Sequence, residues 1–205
     1  MKETSSLFFN THFEFDLNLK DQYKLRVGAV LPSNRDQISR GLKDLSSESI
    51  RNRFLGSKKE FSNTELEYLT NLDGWDHYAI GVEERERPFR GVSIARLVRS
   101  PVDALEAEVA ITVIDEFQGA GVGTILIRLI ALAAHERKIE RLTFTTLPQN
   151  NGMIKLIQKI GVAQVGTTAM DFVQLNIEMS SVDIEKIKSQ LKPHLPVIDT
   201  FHSKI

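Results

Sequence analysis

The sequence predicts one α/β or α+β domain, a mixed sheet with helices on its faces. Three observations predict it. Short runs rich in β-branched residues alternate along the chain with segments of helical spacing. In Ile111–Arg137, ITVIDEFQGAGVGTILIRLIALAAHER, a buried strand, a glycine-rich turn and a helix follow one another directly. The 205 residues are 41% apolar and 26% charged, with no internal repeat and no low-complexity linker, as suits one ordinary soluble domain.

Taken in order, Phe13–Leu17 alternates like a short strand in an uneven opening that also holds Phe8 and Phe9. It is free to pack on the domain or on a partner subunit, which leaves a homodimer open. Tyr23–Leu31 reads as the first core strand. A helix follows Pro32-Ser33-Asn34, with Asn34 and Gln37 placed as a capping box and Ile38, Leu42 and Leu45 as its buried stripe. Leu45–Gly56 reads as a second helix ending in glycine, on which Arg51 and Arg53 are read as exposed charges rather than an anion site. Ser62 with Glu65 caps a third helix carrying Leu66, Leu69 and Leu72.

Asp76–Val82 and Arg90–Val98 form a hairpin with a charged tip, Glu83–Pro88. Ala104–Ile114 is the next strand and feeds the glycine turn. Arg141–Thr146 is a further strand, and Asn150–Ile160 a helix closed by Gly161. Ala163–Val165 and Asp171–Met179 complete the sheet. Ser181–Leu191 is an amphipathic tail helix with Ile184, Ile187 and Leu191 on one face, stopped by Pro193 and Pro196.

The turn Gln118-Gly119-Ala120-Gly121-Val122-Gly123-Thr124 has the physics of an anion site. The first amides of a helix lack intrahelical acceptors, and the helix dipole adds roughly half a positive charge there. Glycines let a bulky phosphate approach the backbone. A Walker loop needs Lys after its last glycine, where this chain has Thr124. The dinucleotide fingerprint needs G-x-G-x-x-G, and here the spacing is G-x-G-x-G. The pattern Q/R-x-x-G-x-G/A at a strand-to-helix junction fits throughout. In this it resembles the acetyl-CoA loop of the GNAT superfamily of N-acetyltransferases.

The order of elements is also that of the GNAT fold, a mixed, mostly antiparallel twisted sheet with helices on both faces. The resemblance covers about residues 22–180, with 1–21 left as an N-terminal extension and 181–205 as a helical tail. LSSESIRNRFLG, LTNLDGWDHYAIGV and AEVAITVIDEFQGAGVGTILI look like the bacterial protein-lysine acetyltransferase branch. The resemblance implies acetyl-CoA as co-substrate. It implies that backbone groups of Ile111 to Val113 pair with the pantetheine arm, and that amides of Gly119 to Thr124 (Gly119, Ala120, Gly121, Val122, Gly123, Thr124) hold the pyrophosphate beside Gln118. Asn150 would contact the arm, and it also stands where a helix N-cap belongs. The Val113 amide would serve as oxyanion donor. Ile157 departs from the family, since many relatives carry there a Tyr that protonates the leaving thiol.

Acetyl transfer to an amine also needs a base. A lysine amine has a pKa of about 10.4, so deprotonating it at pH 7 costs roughly 4.6 kcal/mol. A carboxylate can take that proton directly or through water. Alternation puts Glu106 and Glu108 on one face of their strand and Val109, Ile111 and Val113 on the other. Glu108 matches the glutamate assigned as general base in the lysine-acetyltransferase branch, and Glu106 is the runner-up. The expected activity is acetyl transfer to a protein lysine or small amine. The alternative is a non-catalytic acyl-CoA-binding module of the same fold.

A net charge of −1 gives no basic field that would draw the chain to nucleic acid or a membrane. The chain has no cysteine, hence no disulfide, thiolate site or Cys nucleophile. His12, His77, His135, His194 and His202 lack metal-ligand spacing, so no metal is expected. The N-terminus has no apolar core of a signal peptide, and a cytoplasmic protein is expected.

Overall fold

The computed structural model describes residues 7–19, 22–87, 90–168 and 171–201. Pro88 of the expected hairpin tip and His202 lie outside the described residues. Eight strands form one sheet. They are β1 (Glu14–Leu19), β2 (Tyr23–Ala29), β3 (His77–Glu84), β4 (Gly91–Arg99), β5 (Glu106–Val113), β6 (Arg141–Thr146), β7 (Gln164–Thr168) and β8 (Val173–Glu178). Across the sheet they run β1-β2-β3-β4-β5-β6-β8-β7. Neighbours are antiparallel except β5 and β6, which are parallel. The exception follows from the sequence. Between these two strands lies helix α4 (Val122–Glu136), and a parallel pair needs such a crossover to bring the chain back to the same end.

The other helices are α1 (Arg35–Gly41), α2 (Ser47–Phe54), α3 (Asn63–Thr70), α5 (Asn151–Ile157) and α6 (Ile184–Leu191). Helix α4 buries Val122 and nearly all of Ile125–Ala134. A helix apolar on every side must be covered on every side. It packs on β3, β4 and β5 and is covered in turn by α5 and α6. At about 1.5–3 kcal/mol for each large apolar side chain removed from water, this is the main stabilising layer. Helix α1 lies against β4 and α2 against β5, on the face to which Ala110 and Thr112 turn. No helix among the described residues is long and apolar enough to cross a membrane.

Several local expectations need correction. Residues Pro32–Asn34 close a tight 3-10 turn, so α1 begins only at Arg35 and the box expected from Asn34 and Gln37 does not form. Proline fixes the first residue of that turn. Asn34 Oδ1 then accepts backward from the Leu31 amide at 2.8 Å, while its Nδ2 donates to Gln37 Oε1 at 3.0 Å. Helix α2 ends on Leu55 in the left-handed conformation (φ 56°), not on Gly56. The box at the start of α3 does form: Ser62 Oγ accepts from the Glu65 amide at 3.2 Å and Glu65 Oε2 from the Ser62 amide at 2.8 Å. Glu83 and Glu84, expected in the hairpin tip, belong to β3.

The N-terminal segment packs on its own sheet. Strand β1 pairs with β2 along its whole length. The rings of Phe8 and Phe9 sit 5.7 and 5.6 Å from that of Phe201. The amides of Phe8 and Phe9 donate to the Glu136 carboxylate at 2.6 and 3.1 Å. Next to it the fully buried Arg137 guanidinium donates to the carbonyls of Phe9, Gly74 and Ala133 and lies 4.0 Å from the Tyr78 ring centroid. The last turn of α4 thus ties the N-terminal segment to the sheet.

Candidate active site

The register between β4 and β5 runs unbroken from Ser93↔Val113 to Arg99↔Ala107. Hydrogen bonds at its two ends fix its phase. The Ile114 amide donates to the Val92 carbonyl at 3.0 Å, and the Ser100 amide to the Glu106 carbonyl at 2.8 Å. Bonded residues alternate in an antiparallel ladder. Glu108, Ala110 and Thr112 therefore turn their backbone groups to β4, while Ala107, Val109, Ile111 and Val113 turn theirs the other way. Strand β6 pairs with only the start of that second edge, from Glu106↔Arg141 to Glu108↔Thr143. Beyond it the two strands splay apart. Ile111 and Val113 present their backbone groups to a cleft of ≈ 730 Å³, also lined by Glu108 and Asn150.

The glycine turn closes one end of this cleft. Gly119 (φ 72°) and Gly121 (φ 108°) are left-handed, and open space surrounds the position a Cβ would take at each. Any other L-residue there would be strained by roughly 1–2 kcal/mol. Gly123 serves differently. A Cβ on it would lie 3.4 Å from Leu156 and 3.6 Å from Val113, so it lets α4 sit close to α5 and β5. Gly121 is the N-cap of α4, without a side-chain cap, and the first turn holds no acidic residue. The leading amides of a long helix are thereby left for an external acceptor. Gly119, Gly121, Gly123 and Thr124 line the cleft. The side chains of Ala120 and Val122 are buried in the core, so these two can offer only backbone, and the Ala120 amide already donates to the Phe117 carbonyl at 3.3 Å.

Gln118 braces the turn: its Nε2 donates to the Val113 carbonyl at 3.1 Å and to Ser49 Oγ at 3.0 Å. Asp115 makes a second tie to α2, accepting from the Ser46 amide (2.9 Å), Ser46 Oγ (2.7 Å) and Ser49 Oγ (3.0 Å). Burial pushes the Asp115 carboxyl up, but these hydrogen bonds outweigh it and hold it below the ordinary aspartate value. Asn150 Oδ1 caps α5 by accepting from the Met153 amide at 3.1 Å, and its Nδ2 donates to Thr146 Oγ1 at 3.1 Å. Ile157 is wholly buried in the core, while Met153 and Leu156 of the same helix line the cleft.

The two candidate bases separate clearly. Glu106 lies 3.5 Å from Arg141, which also bonds Glu178 at 2.7 Å, and it does not line the cleft. Glu108 is exposed on the cleft wall. Facing it is Arg53, whose guanidinium is held below its ordinary value by burial, partly offset by the Glu108 charge. Arg53 is half-buried and so corrects the expectation of a plain solvent charge. A signal was available, since Ile50, Arg53 and Phe54 stand at i, i+3 and i+4 and share the inward face, whereas Arg51 is exposed.

Arg96 lies in no motif, and its one signal in the sequence is a lone charge inside the apolar run VSIARLV. It is 5% exposed, bonds His77 Nε2 and donates to the Leu69 carbonyl at 2.9 Å. Burial, then the neighbouring Arg53, pull its pKa down to about 10, so it stays charged at neutral pH. His77 is held neutral, pushed down to about 4 by burial and by Arg96 against the pull of Asp73.

Comparison with known proteins sets this geometry in context. The sequence model of the acetyltransferase (GNAT) domain matches residues 43–163. Acetyltransferase Pat of Mycolicibacterium smegmatis is 30% identical over 159 residues, which are 77% of this chain and 45% of the relative. The chain thus spans under half the length of that curated relative. The GNAT domain of S. lividans PAT superposes with a TM-score of 0.70 at 26% identity, covering 80% of this chain and 96% of that one. Spermidine N-acetyltransferase from Vibrio cholerae, solved with CoA and spermine, shares the fold at a TM-score of 0.57 and 16% identity, covering 77% of this chain and 96% of its own.

Proposed function

The chain belongs to the GNAT acetyltransferase family, and from that premise we propose that it moves an acetyl group from acetyl-CoA to a primary amine, on a protein lysine or a small molecule. One observation carries the reading. The unpaired β5 edge and the uncapped start of α4 meet in a single cleft, and Glu108 stands on its wall. The CoA and spermine in the Vibrio cholerae neighbour support a donor and acceptor of these classes.

In this reading the backbone groups of Ile111 and Val113 pair with the pantetheine amides as an added strand would. The amides of Gly121 to Thr124 at the start of α4 hold the pyrophosphate, with the positive end of the helix behind them. Bound acetyl-CoA supplies the activated thioester. Glu108, directly or through water, takes one proton from the ammonium and leaves a neutral nucleophile. The amine nitrogen bonds the carbonyl carbon, and the Val113 amide faces the oxygen on which charge develops. The C–S bond breaks with its electron pair on sulfur. The second amine proton balances the thiolate, which needs no Tyr at position 157 if water delivers it.

The test is CoA release from acetyl-CoA by the full chain with a panel of primary amines. Amine-dependent release that collapses in Glu108→Gln is expected. Tight acetyl-CoA binding without release above background for any amine would make the protein a binding module instead.

A further inference from the structure

A second cavity, of ≈ 250 Å³, lies between the sheet and helices α1–α3. Arg53, Phe54, Ala110 and Thr112 line both this cavity and the donor cleft, so the two meet at the middle of β5. The space exists because its floor is made of small residues. Gly28 and Gly81 stand opposite one another across β2 and β3, and Ala110 is on β5. Its walls are apolar, with Ile38, Leu42, Phe61 and Leu69 among them.

The charge at the junction is out of balance. Among the described residues, Arg53 makes no hydrogen bond or ion pair, only a ring contact with Phe54 at 5.2 Å. Arg96 bonds a neutral imidazole and a carbonyl, and no carboxylate pairs with it among the described residues. Two mutually repelling guanidiniums beside a cavity, with only the exposed Glu108 facing Arg53 and no carboxylate bonded to either, are costly unless an anion joins them. The other charges of the lining are remote or engaged. Glu14 stands on β1, four strands from Thr112 along the row Glu14–Gly28–Gly81–Ile94–Thr112, roughly 19 Å at the usual strand spacing. Glu83 is opposite Gly91, five residues along β4 from Arg96 and so roughly 17 Å away, and accepts from Gln37 Nε2 at 2.6 Å. Arg26 lies 4.0 Å from Asp16.

Spacing decides what kind of anion fits. Arg96 is directly opposite Ala110, and Glu108 is two residues from Ala110 on the same face. A diagonal of that kind spans roughly 7 Å between the two backbone positions, and Arg53 stands close enough to feel the charges of both Glu108 and Arg96. An amine at Glu108 and a carboxylate at Arg96 and Arg53 therefore fall within one small molecule.

Resting on the acetyl-transfer reading above, we propose that the acceptor is a small primary amine carrying a carboxylate close to its amine and an apolar body, as an apolar α-amino acid does. The carboxylate binds Arg53 and Arg96, the amine faces Glu108, and the apolar body fills the cavity under α1–α3. A lysine side chain fits poorly, because it brings a cation and no anion to the two guanidiniums. The transfer step is the one given above, and its products are the N-acetylated acid, CoA thiol and one proton.

The test compares L-leucine, L-methionine and L-phenylalanine with their amides, their decarboxylated amines and a lysine peptide, reading kcat/KM for each. The acids should exceed their amides by roughly 100-fold or more. Arg53→Gln should raise KM for the acids by about the same factor and erase the preference, while acetyl-CoA affinity stays within about twofold. Arg53→Lys should restore part of it. Preference for the amide, the plain amine or the lysine peptide would overturn the proposal and leave acetyl transfer standing. So would a loss confined to acetyl-CoA affinity in Arg53→Gln, which would assign the cation to the donor. If no amine is turned over, binding to the CoA-loaded protein decides. Selective binding of N-acetyl-L-leucine over N-acetyl-L-leucinamide supports the site, and equal or absent binding overturns it.

Discussion

Glu108→Gln separates proton acceptance from shape. Glu108 is exposed on the cleft wall, so fold and acetyl-CoA affinity should persist in the variant. Turnover at pH 7 should fall by about 10² to 10⁴, and the defect should shrink as the pH approaches the pKa of the amine. A pH–rate profile checks both points. An equal loss at every pH would make Glu108 a positioning group. At this scale the sequence was partly legible. The alternation of β5 distinguished the two glutamate-bearing positions from the buried face, but only the paired Arg141 sets Glu106 apart. The inward face of Arg53 is legible in its spacing from Ile50 and Phe54, but what lies beneath that face is not.

At the scale of elements, the start of α4 admits a sharp substitution. Gly121→Ala should cost about 1–2 kcal/mol of stability through strain at φ 108°. Gly121→Glu should add a negative charge at the same place and weaken acetyl-CoA binding by roughly 100-fold or more, which calorimetry on the folded variant would read. Unchanged affinity would remove the turn from the site. Helix α5 gives a contrasting case. Ile157 is fully buried and points away from the cleft. Ile157→Tyr should therefore lower the urea midpoint, by about 1–3 kcal/mol of overpacking, without raising turnover. An active-site hydroxyl cannot be restored from a side chain that faces the core. The helical period of Asn150–Ile157 alone did not show which of Leu156 and Ile157 faces the cleft, since both are apolar and adjacent.

For the molecule as a whole, acid should act through the α3–β3–β4 corner. His77 is depressed to about 4 from an ordinary 6.5, so the unfolded chain binds a proton that the folded one refuses between those values. Stability from this group is fully present above about pH 6.5 and is lost as the pH falls toward 4. Partial exposure limits the effect to about 1–2 kcal/mol. Urea unfolding at pH 7 and pH 4.5 should show the loss, and His77→Gln should flatten it. The architecture was legible because each strand and helix announces its own period. What was not legible is whatever arises between distant segments: the ties from Ser46 and Ser49 to Asp115, the Phe8–Phe201 contact, and the placing of Arg53 and Arg96 beside one cavity. No local pattern encodes a relation between residues tens of positions apart.

The splayed edge of β5 has a consequence for how such a chain can change. Peptide groups look alike whatever side chain they carry, so the half of the cleft proposed to hold the donor would tolerate wide drift in composition, with glycine geometry and the absence of proline as its main constraints. The second cavity is written in side chains and could be rewritten one residue at a time. Inheritance would then hold the donor constant while selection tries new acceptors.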